Sequence, residues 1–193
     1  MSALPSRGTT PGPPNLILDP TGTTTTTRAA KPKAPRARRP ASLRGATVGL
    51  LVNTKQNAAP FLDELGRLLK ERYGATGLMA RTKVNFAQPA PDELIKEMAA
   101  SCDVIVTGIG DCGSCSASAV ADGIAFEASN LPAAAICSDA FGVTADAMAE
   151  LRGAPGYRYA TTPHPVAVLT PDQVKERAAQ VLGDVVALIT DKE

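Results

Sequence analysis

Two cysteines stand three residues apart in the run Gly108-Ile109-Gly110-Asp111-Cys112-Gly113-Ser114-Cys115-Ser116. The apolar stretch Val104-Ile105-Val106 precedes them and an alanine-rich stretch of helical character follows, so the CxxC falls where a strand hands over to a helix. At a helix N-terminus, unpaired backbone N–H groups and the macrodipole favour negative charge, which stabilises a thiolate. The i, i+3 spacing puts both sulfurs on one face, within reach of a disulfide or of a shared substrate. A thiolate so placed attacks a disulfide or an electrophilic centre, and the second thiol resolves the intermediate. Cys112 is the expected nucleophile and Cys115 the resolving thiol. Gly113 and Ser114 keep the turn tight and leave N–H groups for an anion. Two other readings stay open: half of a zinc site completed by Cys137 and the sole histidine, His164, or a structural pair of small buried side chains.

Other residues are candidates because they fall at expected strand ends. His164 sits between Pro163 and Pro165, which hold the imidazole rigidly, as a general acid/base, an anion donor or a turn cap. Asp111 suits helix capping or proton relay beside His164. Asn53 and Lys55 follow the first strand and suit a substrate carboxylate or phosphate. Ser116 and Ser138 are further candidates for substrate binding. Cys137 approaches the CxxC if strands three and four are neighbours. Cys102, at the other end of strand three, reads as inert packing. Asp122 and Glu127 fall within a helix and are expected to be exposed or salt-bridged.

From residue 46 onward the pattern alternates strand and helix. Strands are predicted over 47–53, 77–83, 104–107, 133–137 and 157–161. Helices are predicted from Pro60 through Leu69, over 91–100, 115–128 and 144–151, and from the capping-box pattern at Thr170-Pro171-Asp172-Gln173. This order implies an α/β fold: one doubly wound, open parallel sheet of about five strands, flavodoxin-like or like one lobe of a racemase. Sites in such sheets form beyond the carboxyl ends of the strands, where the candidates converge.

The 193 residues are 44% apolar, 20% charged and 4% aromatic, with no Trp. No apolar run approaches the roughly 20 residues needed to cross a membrane, and no secretory apolar region opens the chain, so no membrane partner is expected. Four cysteines in a chain this long do not make a disulfide scaffold, so a reducing, cytoplasmic setting is expected. Charge is asymmetric. Residues 1–45 carry Arg7, Arg28, Lys31, Lys33, Arg36, Arg38, Arg39 and Arg44 against Asp19 alone, leaving twelve of the twenty basic and eighteen of the nineteen acidic residues to the remainder. With its prolines and the threonines from Thr23 to Thr27, this tail reads as mostly disordered, and residues 46–193 as the domain. The apolar island Leu16-Ile17-Leu18-Asp19-Pro20-Thr21-Gly22 is a candidate for docking on the domain or on a neighbouring subunit. Clustered basic residues without interleaved aromatics suit a solvated linker or weak anionic contacts, and argue against specific nucleic-acid recognition. The acid-poor Arg/Thr composition also resembles a transit peptide, but the prolines oppose an amphipathic helix.

Together these motifs resemble the UGSC family, named for selenoprotein members with Sec-Gly-Ser-Cys where this chain has Cys112-Gly113-Ser114-Cys115. The resemblance extends to Leu18-Asp19-Pro20-Thr21, Leu51-Val52-Asn53-Thr54-Lys55, Asp122 with Glu127, and Pro163-His164-Pro165. The stretch between Gly22 and Arg44 is longer than the pattern requires. The resemblance implies that Cys112, at the position of the family's selenocysteine, is a reactive chalcogen, and it implies no particular substrate.

Three functions compete. The first is a thiol-dependent oxidoreductase or nucleophile acting on a small molecule, with a thiol reductant, in which His164 and Asp111 manage protons. The second is a cofactor-independent enzyme like the Asp/Glu racemases or a lyase, with Cys112 or Cys137 as acid/base and Asn53 and Ser114 holding a carboxylate. The third is a metal-binding or assembly module. A homo-oligomer fits all three. No cofactor is expected: Gly108, Gly110 and Gly113 match a dinucleotide-binding GxGxxG, but no acid about 20 residues on ends a following strand.

Overall fold

Short aliphatic runs are buried on both sheet faces and amphipathic segments on one side, and that difference lays out the chain's strands and helices. The structure is a computed structural model that describes residues 36–191. In chain order the elements are β1 (Thr47–Val52), α1 (Ala58–Tyr73), β2 (Gly77–Thr82), α2 (Asp92–Ser101), β3 (Val104–Gly110), α3 (Gly113–Ala128), β4 (Ala133–Ser138), a 3-10 turn (Asp139–Phe141), α4 (Gly142–Leu151), β5 (Ala160–Thr162) and α5 (Pro171–Ile189). The strands form one open, all-parallel sheet in the order β2-β1-β3-β4-β5, the flavodoxin-like order. Helices α1 and α5 bury Phe61, Leu65, Val181 and Val185 against one face, through Leu50, Val106 and Ile136. Helices α2, α3 and α4 cover the other, with Met98 and Phe126 over Leu51 and Ile105, and Val120 and Ala145 over Ala135.

Local chemistry explains most boundaries. Helix α5 opens with the expected capping box: Thr170 accepts from the Gln173 N–H and Gln173 reaches back to the Thr170 N–H. Helix α1 closes at Gly74, whose positive φ of 75° suits a residue without a Cβ. Helix α3 is buried on nearly every side, which its alanines, serines and Gly123 permit.

Two strands differ from expectation. Strand β3 runs three residues beyond Thr107, because Gly108 pairs with Val52 and Gly110 with Cys137, across a register shift between Thr107 and Gly110. A Cβ at Gly110 would lie 2.7 Å from the Ser116 Cα, so this glycine serves close packing against α3 rather than a loop. Strand β5 is shorter than the predicted 157–161. Only Ala160 to Thr162 pair with β4, while Tyr157 and Tyr159 turn their hydroxyls to the Ala133 carbonyl (3.4 Å) and the Asp146 carboxylate (2.9 Å).

Packing also begins ahead of Ala46, where the sequence reading starts the domain. Ala37, Arg39 and Leu43 are buried, and the Asp191 N–H donates to the Pro40 carbonyl at 3.1 Å. The expectations for residues 16–22 and for most of the basic tail lie outside the described residues. Among the described residues, no helix is long and apolar enough to cross a membrane.

Candidate functional site

Only Asp111 and Cys112 separate β3 from α3, so the strand delivers the cysteines directly to the first turn of the helix. Cys112 is itself the N-cap residue: its backbone is extended and its Sγ accepts from the Cys115 N–H at 3.2 Å. Asp111, read from the sequence as a helix cap or a proton relay, does not cap this helix. Cys112 and Cys115 form a disulfide with their Cα atoms 5.1 Å apart. The two cysteines differ in exposure: Cys112 is half-buried and Cys115 is wholly buried. Ser114 is exposed between them, its Oγ 3.6 Å from the Cys112 Sγ.

Asp111 ties the end of β4 and the loop between β5 and α5 to the start of α3. Its Oδ2 accepts from the Val166 and Ala167 N–H groups at 3.0 and 2.9 Å. Its Oδ1 accepts from the Ser138 hydroxyl and lies 2.9 Å from His164 Nδ1. Burial is the largest single effect on this carboxyl and would raise its pKa. The bonds from Ala167, Val166, Ser138 and His164 outweigh it and hold the carboxyl below its ordinary value. With Nδ1 directed at Asp111, the other ring nitrogen of His164 is left free of that contact, and the side chain is 38% exposed. Phe141 braces the ring edge-on with centroids 5.2 Å apart, and the Asp139 carboxylate accepts the His164 N–H.

Asn57 extends this network and was not singled out in the sequence. It sits at the N-cap of α1 with φ 65° but makes no side-chain cap bond. Its amide nitrogen instead lies 3.0, 3.2 and 2.9 Å from the Val166, Ala167 and Leu169 carbonyls, which share its two N–H bonds and so fix the loop whose N–H groups hold Asp111. Asn57→Gly keeps the positive φ without strain and removes only the amide. The variant is expected to lose about 1–3 kcal/mol in denaturant unfolding. Its single histidine is expected to show a mixed ring tautomer by 15N NMR, where the parent is expected to carry the proton on Nδ1, facing the Asp111 carboxylate. Unchanged stability and tautomer would contradict this role. The αL-tolerant Asn just before a helix was the only sequence signal.

The remaining candidates divide between the carboxyl edge and the interior. Asn53 is buried, donating to the Ile109 carbonyl at 2.8 Å and accepting the Lys55 N–H, so it ties the β1–α1 loop to the end of β3. The Lys55 ammonium lies 5.9 Å from the centre of the Phe86 ring. Gly113 opens α3, with the Thr144 methyl 3.6 Å from where a Cβ would stand. Ser116 and Ser138 are fully buried; the Ser116 hydroxyl donates to the Gly110 carbonyl at 2.9 Å, and the Ser138 oxygen, whose proton goes to Asp111, lies 3.0 Å from the same carbonyl. They brace the site rather than face outward. Cys137 is adjacent to Gly110 across the sheet, as neighbouring strands three and four require, but burial pushes its thiol up to about 12 and its Sγ points at the Ser116 carbonyl. That removes it from thiolate chemistry near neutral pH. Cys102 lies at the amino end of β3, 3.6 Å from the Met79 sulfur. Among the described residues no group of three or more His, Cys, Asp or Glu could hold a metal ion.

Asp122 and Glu127 are salt-bridged, and both are buried. Asp122 pairs with Lys83 at 2.5 Å and also accepts the Ala90 N–H, while Lys83 donates further to Ser118 and the Gln88 carbonyl. This pins the β2–α2 loop along α3. Glu127 pairs with Arg39 and accepts the N–H groups of Ala37 and Ala133. Both acids therefore position chain segments around α3.

The family model described as UGSC family matches residues 16–191 of the chain. No curated protein and no solved structure matches it.

Proposed function

The chain belongs to the UGSC family, and from that premise we propose that it is a thiol-dependent enzyme that exchanges electrons with a small molecule through the Cys112–Cys115 couple. The observation that carries the reading is the disulfide between a half-exposed helix N-cap cysteine and a buried cysteine one turn on. In the dithiol form, the helix N-terminus and the Cys115 N–H stabilise a thiolate on Cys112. Cys112 releases its proton to the solvent, the thiolate attacks one sulfur of a substrate disulfide, the substrate's S–S bond breaks, and the leaving thiolate takes a proton from the solvent. Cys115 then gives its proton to His164, and its sulfur attacks Cys112 Sγ. The second substrate thiolate leaves and is protonated by His164. Two electrons and two protons have passed from the dithiol to the substrate, and the protein holds the disulfide. A thiol reductant of the cytoplasm returns it to the dithiol by the reverse exchange. Asp111 holds the His164 ring through Nδ1 in every step, and no cofactor enters the scheme.

The direct test incubates the reduced full chain with a small aliphatic disulfide. One equivalent of disulfide is expected to be consumed, two thiols released, and the protein to lose two hydrogens in mass, all located to the Cys112–Cys115 peptide. A protein that keeps its dithiol while the disulfide remains intact would overturn the proposal.

A further inference from the structure

A pocket of distinct chemistry lies at the opposite, amino edge of the sheet, and it shares no lining residue with the cysteine site. It encloses about 310 Å³ between residues 36–39, the end of α3, the α4–β5 loop and the end of α5. That falls at the lower end of the roughly 300–1,000 Å³ range of small-ligand sites.

Its charge is what distinguishes it. Arg36, Arg39 and Arg158 line it against a single acid, Glu127. Arg39 and Glu127 saturate one another: the guanidinium binds both carboxylate oxygens and also donates to the Ala37 and Leu188 carbonyls. The bond to Leu188 also answers one of the carbonyls at the end of α5, whose partial negative charge would otherwise face the cavity. The buried pair is therefore a neutral wall. Arg36 and Arg158 are exposed, and among the described residues neither makes a hydrogen bond or ion pair, so two uncompensated guanidinium groups border the same cavity. Ile124 and Leu188 supply apolar lining that strengthens electrostatic attraction by excluding water.

The geometry points to a binding site for a small organic anion here, a carboxylate or phosphate ester carrying a compact apolar group, held by Arg36 and Arg158. Each guanidinium presents a planar fork that matches two anionic oxygens, and the apolar lining takes the rest of the ligand. The site stands independently of the cysteine chemistry.

The experiment is calorimetric titration of the full chain at low ionic strength with inorganic phosphate and, separately, with benzoate. Saturable binding of at least one probe is expected. It should weaken roughly tenfold or more in the Arg36→Ala/Arg158→Ala variant, since each charge-assisted bond contributes on that scale. Both replaced side chains are exposed, and an unchanged ligand-free melting temperature would confirm that the variant folds. Lys175→Ala, which removes a cation elsewhere, should leave binding intact. Tighter phosphate would assign the site to phosphate esters, and tighter benzoate to organic carboxylates. No saturable binding of either probe, or equal weakening in Lys175→Ala, would overturn the proposal.

Discussion

Cys112→Ser is expected to abolish disulfide exchange, by on the order of a thousandfold or more, while leaving the protein folded. Serine is among the preferred N-cap residues, and its hydroxyl can accept the same Cys115 N–H that the sulfur accepts now. Helix α3 therefore keeps its cap and the substitution isolates the chemistry of the sulfur. Cys115→Ser has a different expected outcome. It leaves the attacking thiol in place and removes the buried partner that resolves the intermediate, so a mixed disulfide on Cys112 should accumulate. Cys102→Ser changes a residue packed beside Met79 at the far end of β3 and should leave exchange unaffected. Full activity in Cys112→Ser would contradict the account whatever the other two variants did.

Glu127→Ala is expected to have the largest effect on stability, about 3–5 kcal/mol, because it leaves a buried arginine without its counter-charge. The loss reaches beyond the ion pair, since the Ala37 and Ala133 N–H groups lose their acceptor as well. The side chains of Arg39 and Glu127 are only 7% and 4% exposed, so water cannot readily substitute. Against a typical total stability of about 5–15 kcal/mol, this is a large fraction, and the melting temperature should fall by about 10 °C. The double variant Arg39→Met/Glu127→Leu removes both charges together and should recover much of the loss. Denaturant titration of Arg39→Met, Glu127→Leu, the double variant and the parent closes the cycle. A Glu127→Ala protein as stable as the parent would show that this pair does not hold residues 36–39 to the domain.

The architecture was largely legible because its signals are local. Aliphatic runs, helical spacing and the Thr170–Gln173 capping box each act within a few residues, and alternation along the chain implied the parallel sheet. The CxxC at a strand-to-helix junction was visible for the same reason. What escaped depends on contacts between residues far apart in the chain. Asp111 looks like a helix cap beside its own helix, yet its partners lie 27 to 56 positions away in β4 and the loop before α5. The predicted strand stops at residue 107, whereas Gly108 and Gly110 let β3 continue while α3 packs against it. Residues 36–45 carry the arginine and proline composition of a tail, yet Ala37, Arg39 and Leu43 are buried. Arg39 meets Glu127 across 88 positions, a pairing that no local pattern encodes. Lys83 reads as an ordinary strand-end cation until Asp122, Ser118 and the Gln88 carbonyl are seen around its ammonium.

The most direct measurement of the central claim is mass spectrometry of the intact chain after alkylation at a series of pH values, with and without prior reduction. In the reduced protein, Cys112 should be labelled first, at or below neutral pH, because its thiolate is favoured by the N-terminus of α3 and its sulfur is the accessible one of the pair. Mild oxidation should then block that labelling through a Cys112–Cys115 bridge. Slow, uniform labelling of all four cysteines, with no bridge on oxidation, would contradict a reactive thiol couple at this site.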